Sequence, residues 1–486
     1  MPPLRSTAAL LLAPVLFLAA VRLPSPPPVA PPAAASAPRE VTEQERVAAR
    51  LLAEEMVSQG AWRKLAWLAD RIGARLSGTP QAEQAVAWAI GEFRRDGLSR
   101  VRGEKVMVPR WERGEASIAL VAPVSRSMAV LALGMSEATP PAGITAEVVE
   151  ADSFDALHAL GDKVRGRIVL FNKVTRPDPH GAGYGETSTL RHRGPSEAAK
   201  QGAVAMLIRS LGTLNARLPH TGSLSYLEDV PRIPAAAITA EDADLIHRLQ
   251  QAGETVTVHL RLGCRTHPDA ESANVVAELR GRSRPDEIVL IGAHLDSWDV
   301  GTGATDDGAG VAVTMEALRL LKTLGLTPRR TIRAVLFMNE ENGLRGGKTY
   351  AADHQEELQR HVAAIESDSG AGRPLGFFVN AGEGGAEVVR TLARPLLGLG
   401  LEDVRVGTDG GSDIAPLKAA GVPTIGLRQD MTHYFDWHHT EADTLDKVDP
   451  AELAKSAVAM AYVAWALAGS EPPLPRVPPV VAPTAH

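Results

Sequence analysis

An α/β fold is predicted, with a mostly parallel, doubly wound sheet flanked by helices and interrupted by an inserted α+β unit. Three features of the 486-residue chain predict it. Between residues 273 and 469 unbroken apolar runs alternate with amphipathic ones. Between 111 and 263 the runs shorten and Gly/Pro turns separate them. Between 43 and 97 apolar residues recur at three- and four-residue steps.

The alternation determines the sheet. The runs EIVLIGAHLDS (287–297), TIRAVLFMN (331–339), HVAAIESD (361–368) and VPTIGLRQD (422–430) read as strands covered on both faces. Helical patterns follow them at 308–325, 343–361, 385–400 and 450–469. Such alternation calls for a largely parallel sheet, and a site on it belongs at the carboxyl ends of the strands. Ahead of it, residues 44–57 and 81–98 have the helical period, with a Gly/Ser/Pro turn at 71–81 between them. The middle stretch reads as short strands at 116–123, 127–134, 165–173, 203–210, 230–239 and 255–262, with helical pieces at 196–202 and 240–253.

The N-terminus is non-globular. Arg5 precedes an apolar run of 14 residues (8–21) and small residues at 33–37, the pattern of an export leader. The run is shorter than the roughly 20 residues that span a bilayer, so no stable membrane insertion is expected once the leader is cut. A Pro/Ala-rich linker follows, and a second Pro-rich stretch closes the chain from Pro472. The net charge of −7 gives no basic footprint for nucleic acid. Cys264 is the single cysteine, which excludes an internal disulfide and a thiolate metal site and leaves it as a small buried hydrophobe. A metal must therefore be held by His, Asp and Glu.

Such residues stand at the predicted strand ends. GAHLD provides His294 and Asp296, two apart and so on one face; a metal-bound imidazole usually gives its other N–H to a carboxylate. GTGATDDGAG (301–310) carries two acids where a phosphate loop would repel its ligand, so Asp306 or Asp307 is a candidate bridge between two cations or a helix cap. FMNEENG offers Glu340 and Glu341, adjacent acids that a dication would relieve: one ligates, the other accepts a proton. AIESDSG brings Glu366 and Asp368, with Asp368 the better ligand. WHHTEADT adds His438 and His439, read as one ligand and one neighbour.

In this order the motifs resemble the M28 metallopeptidases, and within them the carboxypeptidase Q branch. The resemblance covers most of residues 43–470. It implies a zinc-exopeptidase-type fold with a protease-associated domain at 111–265, between peptidase segments 43–110 and 266–470. A leader (1–22), a linker (23–42) and a tail (471–486) complete the chain. It also implies two zinc ions: one held by His294 and Asp368, the other by Glu341 and His439, with Asp306 bridging. Glu340 would be the general base and Asp296 the orienting partner of His294. Asp413 and Asp443 would stand behind the ligands, Asp443 bracing the His439 loop. The implied activity is hydrolysis of the terminal peptide bond of small peptides by a secreted or periplasmic enzyme, possible as a homodimer. An aminopeptidase of the same family is the alternative. A one-zinc glutaminyl cyclase and a non-catalytic receptor-like protein fit less well, because all five ligand positions are filled. No residue that clamps a peptide terminus is legible; Tyr434 and His433 are candidates.

Overall fold

Sixteen strands among the described residues form two eight-stranded sheets. The computed structural model describes residues 41–407 and 410–478. The expected leader, nearly all of the linker and the end of the tail lie outside the described residues. Everything below belongs to one compact unit beginning at Glu43.

The strands are β1 (Ser99–Glu112), β2 (Ala116–Ala122), β3 (Arg126–Met128), β4 (Val130–Ala132), β5 (Ile144–Ala151), β6 (Ile168–Phe171), β7 (Ala205–Arg209), β8 (Ala235–Ile238), β9 (Thr257–Leu262), β10 (Arg265–Leu279), β11 (Arg284–His294), β12 (Arg330–Phe337), β13 (His361–Glu366), β14 (Pro374–Asn380), β15 (Asp403–Val406) and β16 (Thr424–Gln429). The first sheet has the order β1-β10-β12-β11-β13-β16-β14-β15. Its centre, β12, β11, β13 and β16, is parallel, as the apolar runs predict.

Four of its seven pairings are parallel, β14–β15 among them, and antiparallel pairs at the flanks make the sheet mixed. β1–β10, β10–β12 and β14–β16 pair antiparallel. The chain leaves this sheet after Glu112 and returns at Arg265, and the two ends lie side by side, with Glu112 opposite Arg265. Ends that enclose an insert in this way run in opposite directions. The link between β13 and β14 is shorter than the dozen or more residues a parallel crossover needs, so β14 folds back antiparallel.

Helices Glu43–Ser58, Gly60–Trp67, Ala309–Thr323 and Pro450–Gly469 bury one face of this sheet, and Arg345–Asp353 and Ala415–Ala419 the other. Pro450–Gly469 starts on Asp449, whose carboxylate accepts the Ala451 N–H, with Pro450 in the first turn. It is the one described helix long and apolar enough to cross a membrane, yet 78% of that stretch is packed inside the protein. Its apolarity is that of a core helix. The helical pattern at 385–400 is interrupted: a helix ends at Leu392 and a 3₁₀ turn begins at Arg394, because Pro395 has no N–H to give. The tail is not free where it is described. Leu474 is buried, and the Arg476 guanidinium donates to the carbonyls of Leu358, His361 and Ala420.

The second sheet runs β3-β2-β9-β5-β6-β7-β8-β4, with β5 to β8 parallel. β5 is absent from the sequence reading. So is most of the helix Ala182–Lys200, read there as a short piece from 196. Its Gly183, Gly185, Gly194 and Pro195 are poor helix formers. Packing overrides them: a Cβ on Gly194 would stand 2.8 Å from the Phe171 ring, so glycine lets the helix lie close on β6. Cys264 is buried, and burial pushes its thiol up to about 11.

A buried acid pair lies under the first helices. Burial, then the hydrogen bond with Glu316, pushes the Glu55 carboxyl up from 4.5 to about 8. Folded Glu55 thus keeps a proton that the unfolded chain releases. The associated stability is full below pH 4.5 and is lost as pH rises towards 8. Glu55→Gln is expected to remove this slope, worth on the order of 3 kcal/mol. Urea denaturation of both proteins at pH 5 and pH 8 measures the difference.

Candidate metal centre

Each of the four parallel strands delivers part of the site at its carboxyl end. His294 is the last residue of β11; Glu340 and Glu341 follow β12; Asp368 follows β13; His438 and His439 follow β16. The loop before helix Ala309–Thr323 adds Asp306, joined to Asp307 by a cis peptide bond.

The side chains converge in two groups that share one carboxylate. His294 Nε2 is 3.1 Å from Asp306 Oδ1 and 3.6 Å from Asp368 Oδ1. His439 Nε2 is 3.0 Å from Asp306 Oδ2 and 3.0 Å from Glu341 Oε2. In each trio the ligating atoms lie within 4.8 Å of one another. Asp306 Oδ2 and Glu341 Oε1 are buried without a hydrogen-bond partner. Nitrogen and oxygen donors at these spacings fit around a cation about 2.0–2.2 Å from each. The residues therefore fit a pair of divalent cations bridged by Asp306.

Electrostatics point the same way. Burial alone would lower His294, but the carboxylates of Asp306 and Asp368 reverse this and hold it well above its usual value. Burial would raise Asp306, but His438, His294 and His439 take it well below. Burial and then neighbouring acids push Glu341 well above its ordinary value. Burial does the same to Glu340, against the pull of His294. So much carboxyl in so little water is costly unless a positive charge joins it.

The acids around the trios divide the work. Asp307 Oδ1 accepts the Gly310 N–H and Oδ2 the His294 N–H, so it is the cap and Asp306 the convergent group. Asp296 corrects the expectation for it. His294 Nδ1 is 3.0 Å from the Asp296 main-chain oxygen and 3.9 Å from its carboxylate. That carboxylate accepts the N–H groups of Asn339 (2.7 Å) and Glu340 (3.0 Å), holding the loop that presents Glu340. Asp443 braces the Asp306 loop rather than the His439 loop, accepting from Thr305 N (2.8 Å) and Asp306 N (3.2 Å). Glu366 turns away to accept the N–H groups of Asp413 and Ile414, which leaves Asp368 to the cluster. Asp413 is fully buried, and burial, then Glu366, pushes its carboxyl well up. Tyr434 lines the cavity over the site. His433 is exposed and pairs with Asp436 at 2.9 Å, outside that cavity.

Three contributors were not legible. Arg75 is fully buried and donates to the carbonyls of Leu295 (2.6 Å), Thr302 (2.8 Å) and Gly303 (3.0 Å), joining the His294 and Asp306 loops. Arg75→Leu is expected to cost roughly 2–4 kcal/mol by leaving these carbonyls unpaired and to weaken metal retention; denaturation with and without added zinc checks both. His220 Nε2 lies 3.0 Å from His438 Nδ1, and His220, His438 and His439 form a third trio. Thr221 exchanges two contacts with His439: its N–H donates to the His439 carbonyl (3.0 Å), and its carbonyl faces His439 Nδ1 (3.4 Å). That clasp holds His439 in a left-handed conformation, φ 56°. His220 and Thr221 lie between β7 and β8 in a long unpatterned stretch, and its length was the one available signal.

The chain is similar to known proteins. The Peptidase family M28 profile covers residues 274–464. Carboxypeptidase Q of Mus musculus is 40% identical over 419 residues, 86% of this chain and 87% of that one. A peptidase M28 precursor from Shewanella amazonensis SB2B superposes with a TM-score of 0.87 at 41% identity, covering 90% of this chain and 99% of that chain. An aminopeptidase from Aneurinibacillus sp. strain AM-1, at 23% identity and a TM-score of 0.63 over 91% of this chain and 99% of that chain, shares the fold. The chain belongs to peptidase family M28 and is a metallopeptidase.

Proposed function

We propose that the chain is a two-zinc exopeptidase that hydrolyses the terminal peptide bond of small peptides. The observation that carries this reading is the pair of trios sharing Asp306, with Glu340 beside them in one cavity. His294, Asp306 and Asp368 would hold one ion, and Asp306, Glu341 and His439 the other. Zinc bound there would polarise the scissile carbonyl and acidify the attacking water.

Glu340 accepts the proton of that water and returns it to the leaving amine. Its position is set through its own N–H on Asp296 rather than through its carboxylate, so the carboxylate stays available. The cavity, about 730 Å³, is walled on one side by the peptidase sheet and on the other by helix Ala182–Lys200 of the second sheet. That volume suits a short peptide. The second sheet is read as the protease-associated unit, and it supplies Thr221 to the metal-ligand clasp. The resemblance to carboxypeptidase Q favours release of the carboxy-terminal residue over the aminopeptidase alternative. Export through the leader fits this role.

The zinc-replete chain is expected to cleave unblocked dipeptides and to spare an internal bond of a peptide blocked at both ends. Cleavage of the blocked peptide, or no cleavage of any dipeptide, contradicts the reading.

A further inference from the structure

Arg191 is a buried cation without a counter-ion in the wall of the metal cavity. It projects from helix Ala182–Lys200, is 7% exposed, and lines the same cavity as His294, Glu340 and His439. Its Nε donates to the Ser223 carbonyl (3.2 Å), and its Nη1 to the Thr221 carbonyl (3.3 Å) and the Tyr184 hydroxyl. Nη2 has no hydrogen-bond partner among the described residues, and no carboxylate there pairs with the guanidinium.

Buried arginines elsewhere are satisfied. Arg113 pairs with Asp299, Arg330 with Glu287 and Arg333 with Glu278, while Arg75 spends its donors on carbonyls. The other cations of the cavity are also committed. Arg428 is 2.6 Å from the Asp403 carboxylate, and the exposed Lys348 donates to the Gly343 carbonyl. A lone buried charge is costly unless an anion completes it. The surroundings are built for this one: a Cβ on Gly222 would stand 2.3 Å from Cζ, so the guanidinium fills the space a side chain would take.

Its distance from the metal ligands suits one anion in particular. Arg191 Nη1 and His439 Nδ1 reach the same Thr221 carbonyl, at 3.3 Å and 3.4 Å. In a peptide, the carboxylate of the last residue lies roughly 4 Å from the carbonyl carbon of the bond before it. A substrate with that bond at the metal pair would bring its terminal carboxylate to the guanidinium.

We infer that Arg191 binds the free C-terminal carboxylate of the substrate, making the second sheet the source of carboxy-terminal specificity. This rests on the exopeptidase reading. With Nε and Nη1 held by Ser223, Thr221 and Tyr184, Nη2 carries the free N–H groups that a carboxylate would accept in a charge-assisted bond.

The test uses the zinc-replete full chain and three probes. They are a dipeptide with neutral side chains, its C-terminal amide, and an amidated dipeptide ending in Glu. The native enzyme is expected to favour the free acid by roughly a hundredfold in kcat/KM. Arg191→Met should erase most of that preference, chiefly through KM, and change the rate on the amide by less than about threefold. Zinc content should stay native. Arg191→Lys, which keeps the charge, should retain part of the preference and decides the matter if the Met variant fails to fold. Equal native rates on acid and amide, or an unchanged preference in Arg191→Met, overturn the inference while leaving an exopeptidase. Rescue of the amide by the terminal Glu side chain also overturns it, assigning Arg191 to a side-chain carboxylate. A chain that binds no zinc and cleaves none of the probes overturns the exopeptidase reading itself.

Discussion

Glu340→Gln is expected to keep its zinc and lose nearly all turnover, with kcat falling roughly 10²–10⁴-fold. The carboxylate of Glu340 belongs to neither trio, so its replacement by an isosteric amide removes no ligand. Its main-chain N–H still reaches Asp296, and the adjacent Glu341 stays in place. What disappears is the carboxylate that, in the proposed mechanism, takes a proton from the attacking water and passes it to the amine. Steady-state kinetics on a dipeptide, with zinc counted by elemental analysis of the same sample, measure both halves. A variant with near-native kcat removes Glu340 from the mechanism.

Asp306→Ala should have the opposite character: activity is lost because metal is lost. Both trios depend on this carboxylate, through Oδ1 to the His294 side and Oδ2 to the His439 side. Its removal also leaves imidazoles and acids facing each other without their bridge. Zinc bound per chain should fall below one at metal concentrations that saturate the native protein, with affinity down at least 10–100-fold. Asp307→Asn is the contrasting variant, since Asp307 caps helix Ala309–Thr323 through Gly310. It should cost about 1 kcal/mol of stability and retain zinc. Equal metal loss in the two variants would contradict the division of labour.

The adjacent pair Asp306 and Asp307 illustrates how far the sequence could be read. The loop offered a candidate cation bridge or a helix cap; Asp307 takes the cap through Gly310, and Asp306 is the carboxylate the two trios share. Which residue takes which role depends on the backbone turn between them, and residue type carries no sign of that. The cluster of candidate ligands was legible because parallel strands buried on both faces leave a strong apolar signature and point their carboxyl ends the same way. Asp296 was harder. Spacing placed its side chain on the His294 face, but the Asn339 and Glu340 N–H groups lie closer to that carboxylate and claim it. The antiparallel flanks were invisible because β1 and β10 meet only across the insert. Arg191 was missed with its helix: glycines and a proline argued against Ala182–Lys200, and close packing on β6 outweighed them.

Zinc-edge anomalous diffraction from crystals of the native protein tests the central claim most directly. The arrangement described here predicts two peaks about 3.5–4 Å apart, one among His294, Asp306 and Asp368, the other among Asp306, Glu341 and His439. A single peak, or a peak held by His220, His438 and His439 in place of these two, would contradict it.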